Sequence, residues 1–137
     1  MVKQGDIIKT NFDPVIGHEQ AGYRPALVVS NFSYSKATNT TYVCPITNTF
    51  RNSPLHVKLE NHKTTGYIMC DQLRAIDLSN RNYTITDSVS PETLDEVVYI
   101  IHNSTSVLLC KKINYDFTYE NHTGVESDET GADSDDS

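Results

Sequence analysis

A polar loop bounded by two glycines runs directly into an apolar strand, and this junction constrains the fold most strongly. Residues 17–25 read GHEQAGYRP, and residues 26–29 read ALVV. A continuous apolar run of this length, without polar alternation, is typical of a strand that is buried on both faces. The sequence therefore predicts a central strand with Arg24 at its start, directly after a flexible loop.

The rest of the pattern is a series of short strands followed by one late helix. Residues 13–22 are expected to form a loop, and the polar stretch 31–39 is expected to be turn-like. A helix is predicted to begin after Ser90, with Pro91 in its first position, and to end near Cys110. This pattern favours a mainly β (α+β) domain built as a small, strongly curved barrel. The predicted strands are residues 6–12, 24–30, 40–46, 55–60, 66–70, 72–76 and 83–89.

Charge is distributed unevenly along the chain. The 137 residues include 18 acidic and 11 basic side chains, and seven of the acids fall within residues 120–137, which hold no Lys or Arg. The net charge of −7 therefore belongs to this segment alone. A segment so polar and acidic buries too little apolar surface to offset the entropy lost on ordering. We expect one folded domain over residues 1–119 and a disordered acidic tail over residues 120–137.

The cysteines and the first residues indicate a cytoplasmic protein. Cys44, Cys70 and Cys110 are odd in number and form no C-x-x-C pair, so neither a disulfide framework nor a metal site is predicted. Cys44 and Cys70 lie in apolar runs, where a small buried thiol is the ordinary interpretation. Residues 1–6 contain no signal-peptide core, and no run approaches transmembrane length. We therefore expect no membrane segment and no cofactor.

Several spaced motifs resemble one protein family. The loop and strand opening at 17–25 match the pattern G-x-E-Q-x-G-x-R-P, and the strand at residues 42–46 ends in Thr47-Asn48. Residues 5–8 (GDII) and 71–77 (DQLRAID) extend the similarity, which covers residues 4–112. In this order the motifs resemble the MazF/PemK family of toxin endoribonucleases. The resemblance implies an SH3-like, PemK-type curved barrel with a C-terminal helix, acting as the toxin of a type II toxin–antitoxin system.

RNA can be cut without a metal when its own 2′-hydroxyl attacks the adjacent phosphate. That reaction needs a proton acceptor, cationic groups for the charge that builds on the phosphate, and a donor for the leaving 5′-oxygen. The planar fork of arginine binds two phosphate oxygens at once, and a neighbouring hydroxyl fixes their position. Arg24 and Thr47 meet this description if their strands are adjacent, and by resemblance they match the catalytic arginine and threonine of the family. The resemblance implies acid and base roles for the arginine, whereas its chemistry favours charge stabilisation, because arginine keeps its proton at neutral pH.

Further residues near these two are candidates for RNA binding. His18 has the better ordinary pKa for proton transfer, but it also suits a solvent-exposed loop. Each of the others has a structural alternative: loop solvation, core packing for an aromatic ring, or a surface salt bridge. We assign to RNA binding the residues His18, Glu19, Gln20, Tyr23, Asn48, Gln72 and Arg74.

The resemblance predicts a sequence-selective, metal-independent endoribonuclease (an mRNA interferase) that cuts single-stranded mRNA. It further implies a homodimer, and a cognate antitoxin whose acidic segment covers the site. Two alternatives remain: a non-catalytic toxin of the same fold that binds a DNA topoisomerase, and an inactive RNA-binding relative. The acidic tail is either a solvated extension or a tethered competitor of RNA.

Overall fold

Seven antiparallel strands form one sheet in the computed structural model, which describes residues 1–12 and 23–107. The strand order is β4-β5-β3-β2-β1-β7, and β6 pairs with β3 beside this path. The strands are β1 (Asp6–Asn11), β2 (Tyr23–Val28), β3 (Thr41–Thr47), β4 (His56–Lys58), β5 (Tyr67–Met69), β6 (Arg74–Ile76) and β7 (Tyr83–Ser88). The helices are α1 (Phe32–Thr38) and α2 (Pro91–Ser104), and short 3₁₀ turns cover Cys70–Gln72 and Leu78–Asn80.

The strand β3 organises the sheet, because it pairs with three other strands. One edge of β3 pairs with β2 through Val43, Cys44 and Pro45. The other edge pairs first with β6, from Thr41 to Val43, and then with β5, from Ile46 to Thr47. The end of β3 that carries Thr47 therefore lies between β2 and the β4–β5 hairpin.

The central strand β2 is buried on both faces, as its continuous apolar run predicted. Ala26 and Val28 belong to a cluster on one face that also contains Ile8 and Val43. Leu27 lies on the other face and is fully buried, with Ile7 and Cys44 opposite it on the neighbouring strands. The expected buried thiols are confirmed at Cys44 and Cys70.

The two compact units of the chain divide between Val98 and Tyr99, within α2. The predicted start of this helix is confirmed, because the Ser90 hydroxyl accepts a hydrogen bond from the Thr93 N–H at 3.2 Å. The predicted end near Cys110 is wrong, since α2 ends at Ser104. The hydroxyls of Ser104 and Thr105 donate to the Ile101 carbonyl at 2.7 and 3.3 Å, and such local bonds compete with the helical ones.

The stretch 31–39 is a helix, so its turn-like interpretation is wrong. The Asn31 side chain caps α1 by accepting from the Tyr34 N–H at 2.8 Å. Asn39 ends the helix in the left-handed region, with φ of 58°. Asparagine at both ends supplied the two caps of a short helix, which a polar composition alone does not reveal.

The strand predicted over 72–76 begins later than expected. Residues 70–72 form a 3₁₀ turn, and β6 starts at Arg74. Gln72 therefore belongs to the turn and not to the strand predicted over 72–76. Two other expectations, the domain boundary at 119/120 and the disorder of residues 120–137, lie outside the described residues.

Candidate active site

The pairing of the strands brings Arg24 and Thr47 to one place on the sheet. Ala26 pairs with Pro45, Arg24 lies two residues from Ala26 on β2, and Thr47 lies two residues from Pro45 on β3, so side-chain alternation places both on the face of this pair. Directly opposed residues of antiparallel strands project from the same face. This face is the one that carries Ala26 and Val28 further along β2, so the site begins where the apolar cluster of that face ends.

A cleft of about 650 Å³ lies at this junction. Three of its lining side chains are cationic, those of Lys9, Arg24 and Arg74, and none of the described lining residues is acidic. Arg24 is exposed and forms no ion pair with any described residue. Among the described residues, the cleft therefore carries a positive charge of the kind that attracts phosphate. Its lining residues are Lys9, Phe12, Tyr23, Arg24, Pro25, Pro45, Ile46, Thr47, Asn48, Thr49, Met69 and Arg74.

Arg74 reaches the cleft from β6 over an aromatic ring. Its guanidinium carbon lies 5.1 Å from the ring centroid of Phe12, within cation–π range. Phe12 is buried in the apolar cluster, so it packs in the core rather than presenting a face to a base. This contact orients the second arginine toward the cleft while leaving its N–H donors available.

The hydroxyl of Thr47 has a defined orientation. Its Oγ1 accepts a hydrogen bond from the Thr49 N–H at 3.1 Å, which leaves the hydroxyl proton free to be donated. The carbonyl of Thr47 is approached closely by Gly66, where an added Cβ would lie 2.6 Å from the carbonyl oxygen. The β4–β5 hairpin thus packs directly against the backbone that carries this hydroxyl.

The other RNA-binding candidates divide into three groups. Tyr23 and Asn48 line the cleft; the Tyr23 hydroxyl donates to the Asn82 carbonyl at 3.3 Å, and the Asn48 Oδ1 accepts from Thr65 at 3.2 Å. Gln72 is exposed in the 3₁₀ turn and does not line the cleft. His18, Glu19 and Gln20 lie outside the described residues.

Sequence analysis missed Lys9 and Met69 as parts of the cleft. Lys9 pairs with Pro25, next to Arg24, and Met69 belongs to β5, which pairs with the end of β3. Met69 shares the strand face of Thr47 through this pairing, whereas Lys9 lines the cleft from the position opposite Pro25. The sequence gives a partial indication of Lys9 as a site residue. In the first strand it is a charged residue whose two neighbours are both β-branched, one apolar and one polar.

Two further groups lie outside the cleft. Asp71 contacts His56 at 3.1 Å. A hydrogen bond with Cys70, together with burial, raises the pKa of the Cys44 thiol well above its usual range. The Cys44 thiol therefore stays protonated in the core, and it does not line the cleft.

Comparison with known proteins identifies the family. Residues 3–105 match the family model described as PemK-like, MazF-like toxin of type II toxin–antitoxin system. The chain belongs to this family. The endoribonuclease toxin MazF of Escherichia coli K12 is 38% identical to it over 90 residues, which are 66% of this chain and 81% of that protein.

Solved structures of MazF proteins share the fold. MazF from Deinococcus radiodurans is similar with a TM-score of 0.65 and 31% identity, covering 75% of this chain and 94% of that one. A MazE–MazF structure from the same organism gives a TM-score of 0.67 at 28% identity with the same coverage. The predicted family and the predicted mainly β fold class are thereby confirmed.

The described part of the chain contains neither a cluster of metal ligands nor a membrane-spanning helix. Within residues 1–12 and 23–107, no group of three or more His, Cys, Asp and Glu side chains is arranged to hold a metal ion. No helix among these residues has the length and apolar character needed to cross a membrane.

Proposed function

We propose that this MazF-like toxin is a metal-independent endoribonuclease that cuts single-stranded mRNA at selected sequences. The observation that carries the proposal is that Arg24 and Thr47 line one cleft, together with Lys9 and Arg74 and with no acidic residue among the described lining residues. The MazF, PemK and EndoA relatives are named endoribonucleases, which supports the same activity here.

The proposed reaction uses the 2′-hydroxyl of the substrate as the nucleophile. The 2′-oxygen forms a bond to the adjacent phosphorus and loses its proton, and the bond from phosphorus to the 5′-oxygen breaks and that oxygen gains a proton. The products are a 2′,3′-cyclic phosphate and a 5′-hydroxyl. The guanidinium of Arg24 stabilises the charge on the phosphate oxygens, and the Thr47 hydroxyl donates to one of them.

The proposed biological setting is a toxin–antitoxin pair. The MazE–MazF structures among its relatives support a cognate antitoxin as the partner. An acidic antitoxin segment that enters the cleft would find Lys9, Arg24 and Arg74 without described acidic neighbours. We further propose a homodimer, for which the molar mass in solution is the test.

The activity is tested by comparing how purified wild-type protein and the Arg24→Ala variant cleave RNA in the presence of EDTA. We expect wild-type protein to cut and this variant to be inactive, with an unchanged Tm because Arg24 is exposed. Lys36→Ala is the matched control, since it removes one positive charge from α1 outside the cleft. Near wild-type cleavage by Arg24→Ala, or no cleavage by wild-type protein, would contradict the proposal and favour a non-catalytic toxin.

A further inference from the structure

An exposed phenylalanine and a half-buried tyrosine lie in contact beyond the Thr47–Thr49 lining of the cleft. Phe50 follows the end of β3 and is 67% exposed, although phenylalanine is usually buried. Its ring lies edge-to-face with that of Tyr67, with centroids 5.6 Å apart and planes at 63°. Most of the Phe50 side chain therefore stays accessible beside this contact.

The register of the hairpin places this pair next to the Thr47 hydroxyl. Tyr67 lies directly opposite Thr47 on one side and opposite Lys58 on the other. Opposed residues share a face. A row of three side chains therefore runs from β3 to β4, over about 10 Å at the usual strand spacing. In order, the row is Thr47, Tyr67 and Lys58.

The opposite face of the same strands fixes this arrangement. Ile46 pairs with Ile68, which pairs with Val57, and all three are buried. A register slip of one residue would expose this row, so the polar row cannot move without losing the core.

From this geometry we propose a nucleotide subsite beside the scissile phosphate. The base of a nucleotide adjacent to the cut stacks on the accessible part of the Phe50 ring, which Tyr67 supports, and Lys58 contacts its phosphate. Aromatic side chains bind single strands in this way because every base has a π face. The inference rests on the proposed function, since it assumes an RNA strand with one phosphate between Arg24 and Thr47.

A single tryptophan provides the direct test, because the chain contains none. Phe50→Trp and its control Phe32→Trp each carry one indole; Phe32 is the other strongly exposed phenylalanine among the described residues and lies on α1, away from the cleft. The probe is a pool of random 2′-O-methyl RNA decamers, whose blocked 2′-oxygen cannot attack.

We expect the pool to quench Phe50→Trp in a saturable way and to leave Phe32→Trp unchanged. Binding detected by the anisotropy of a labelled pool without quenching of Phe50→Trp would overturn the subsite. Absence of binding to both proteins would overturn it as well.

Kinetics separate this subsite from the activity itself. Phe50→Ala should raise the KM for a mapped RNA between about fivefold and 150-fold with little change in kcat. Phe50→Trp should restore the KM, and Phe32→Ala should leave it unchanged. An abasic nucleotide at the stacked position should cause the same loss in wild-type protein and no further loss in Phe50→Ala. Lys58→Gln should reduce the salt dependence of binding by about one phosphate contact.

The outcomes distinguish the two proposals. If wild-type protein cuts RNA and Phe50→Ala has the same KM, the subsite is wrong and the proposed function stands. If wild-type protein does not cut, the proposed function fails, and the tryptophan titration alone decides the subsite. A lower molar mass of Phe50→Ala in solution would instead assign Phe50 to a protein interface.

Discussion

At the scale of single residues, the orientation of Thr47 defines what its side chain contributes. The Thr49 N–H occupies one lone pair of Oγ1, so the hydroxyl proton is directed elsewhere. A donor that is held in place stabilises developing charge without reorganising during the reaction. We therefore propose that Thr47 acts as a fixed donor to the phosphate rather than as a proton acceptor.

Two substitutions of Thr47 should distinguish the contribution of its hydroxyl to the cleavage rate from that of the rest of the side chain. Thr47→Ala should lower kcat by a factor of about ten to a thousand, the range for losing one oriented donor at a developing charge. Thr47→Ser keeps the hydroxyl and should retain most of the activity. Single-turnover cleavage of one RNA by both variants measures the difference, and equal losses would contradict the donor role.

Individual residues of the site differ in how far sequence could locate them. Arg24 lies at the start of one apolar strand and Thr47 at the end of another, so strand adjacency was the missing fact, and the pairing of β2 with β3 supplies it. Gln72 does not line the cleft, because it belongs to a 3₁₀ turn rather than to the strand predicted over 72–76. Lys9 required the pairing of β1 with β2, which local sequence does not encode.

At the scale of secondary-structure elements, the β4–β5 hairpin supports the end of β3. Asp87 on β7 accepts hydrogen bonds from the Lys63 and Thr64 N–H groups at 3.0 and 3.3 Å. Gly66, at the other end of the same loop, has φ of 128° and packs on the Thr47 carbonyl. Contacts thus connect β7 to the β4–β5 loop and this loop to the backbone of Thr47. Substitutions in the loop are therefore expected to affect the site.

Gly66→Ala should impair both stability and cleavage. The added Cβ would lie 2.6 Å from the Thr47 carbonyl oxygen, and the positive φ is strained for alanine. We expect a loss of about 1–3 kcal/mol in the free energy of unfolding and a reduced kcat. Gly5→Ala is the control, because its φ of 98° is also strained but its nearest neighbours are side chains at 3.6 and 3.9 Å. A reduced kcat in Gly5→Ala of the same size would contradict the link through Thr47.

Asp87→Asn should destabilise the protein in a pH-dependent way. Partial burial alone would raise the pKa of Asp87, but hydrogen bonds from the backbone of Ser88, Thr64 and Lys63 lower it overall. A depressed carboxyl pKa contributes stability above the unfolded value of about 3.9, and this contribution is lost as the pH falls through the folded value. The Tm of Asp87→Asn should thus be lower than that of wild type at pH 7, by a few degrees for about 1 kcal/mol.

The same comparison of Tm values at acidic pH is the control for this prediction. The difference in Tm between wild type and Asp87→Asn should shrink as the pH drops below 4. Glu60→Gln, an exposed carboxylate outside this network, should show little difference at either pH. A constant difference across the pH range would show that the charge of Asp87 is not responsible.

Secondary-structure elements were predicted well where the hydrophobic pattern was strong. They were predicted poorly where capping side chains or hydroxyl groups determine the ends of a helix. The two-sided burial of β2 follows from its unbroken apolar run. The helix α1 was missed because its two asparagine caps resemble turn residues, and α2 was extended because apolar residues continue past Ser104. In both cases local side-chain hydrogen bonds determined where the helix ends.

At the scale of the whole molecule, the sign of the net charge differs from that of the site. The chain carries −7 overall, yet the cleft gathers Lys9, Arg24 and Arg74 with no described acidic side chain. We therefore expect an RNA strand to be attracted locally by the cleft rather than by the total charge. Affinity should fall as salt is added, since each neutralised phosphate releases counterions.

The central claim is that the substrate's own 2′-hydroxyl is the nucleophile in the Arg24–Thr47 cleft. The most direct measurement is cleavage, in EDTA, of two RNAs that differ by one 2′-deoxy nucleotide on the 5′ side of a mapped cut. We expect wild-type protein to cut the all-ribose strand to a 2′,3′-cyclic phosphate and a 5′-hydroxyl and to leave the deoxy-substituted strand intact. Cleavage of the deoxy-substituted strand at the same position would show that water is the nucleophile and would contradict this account.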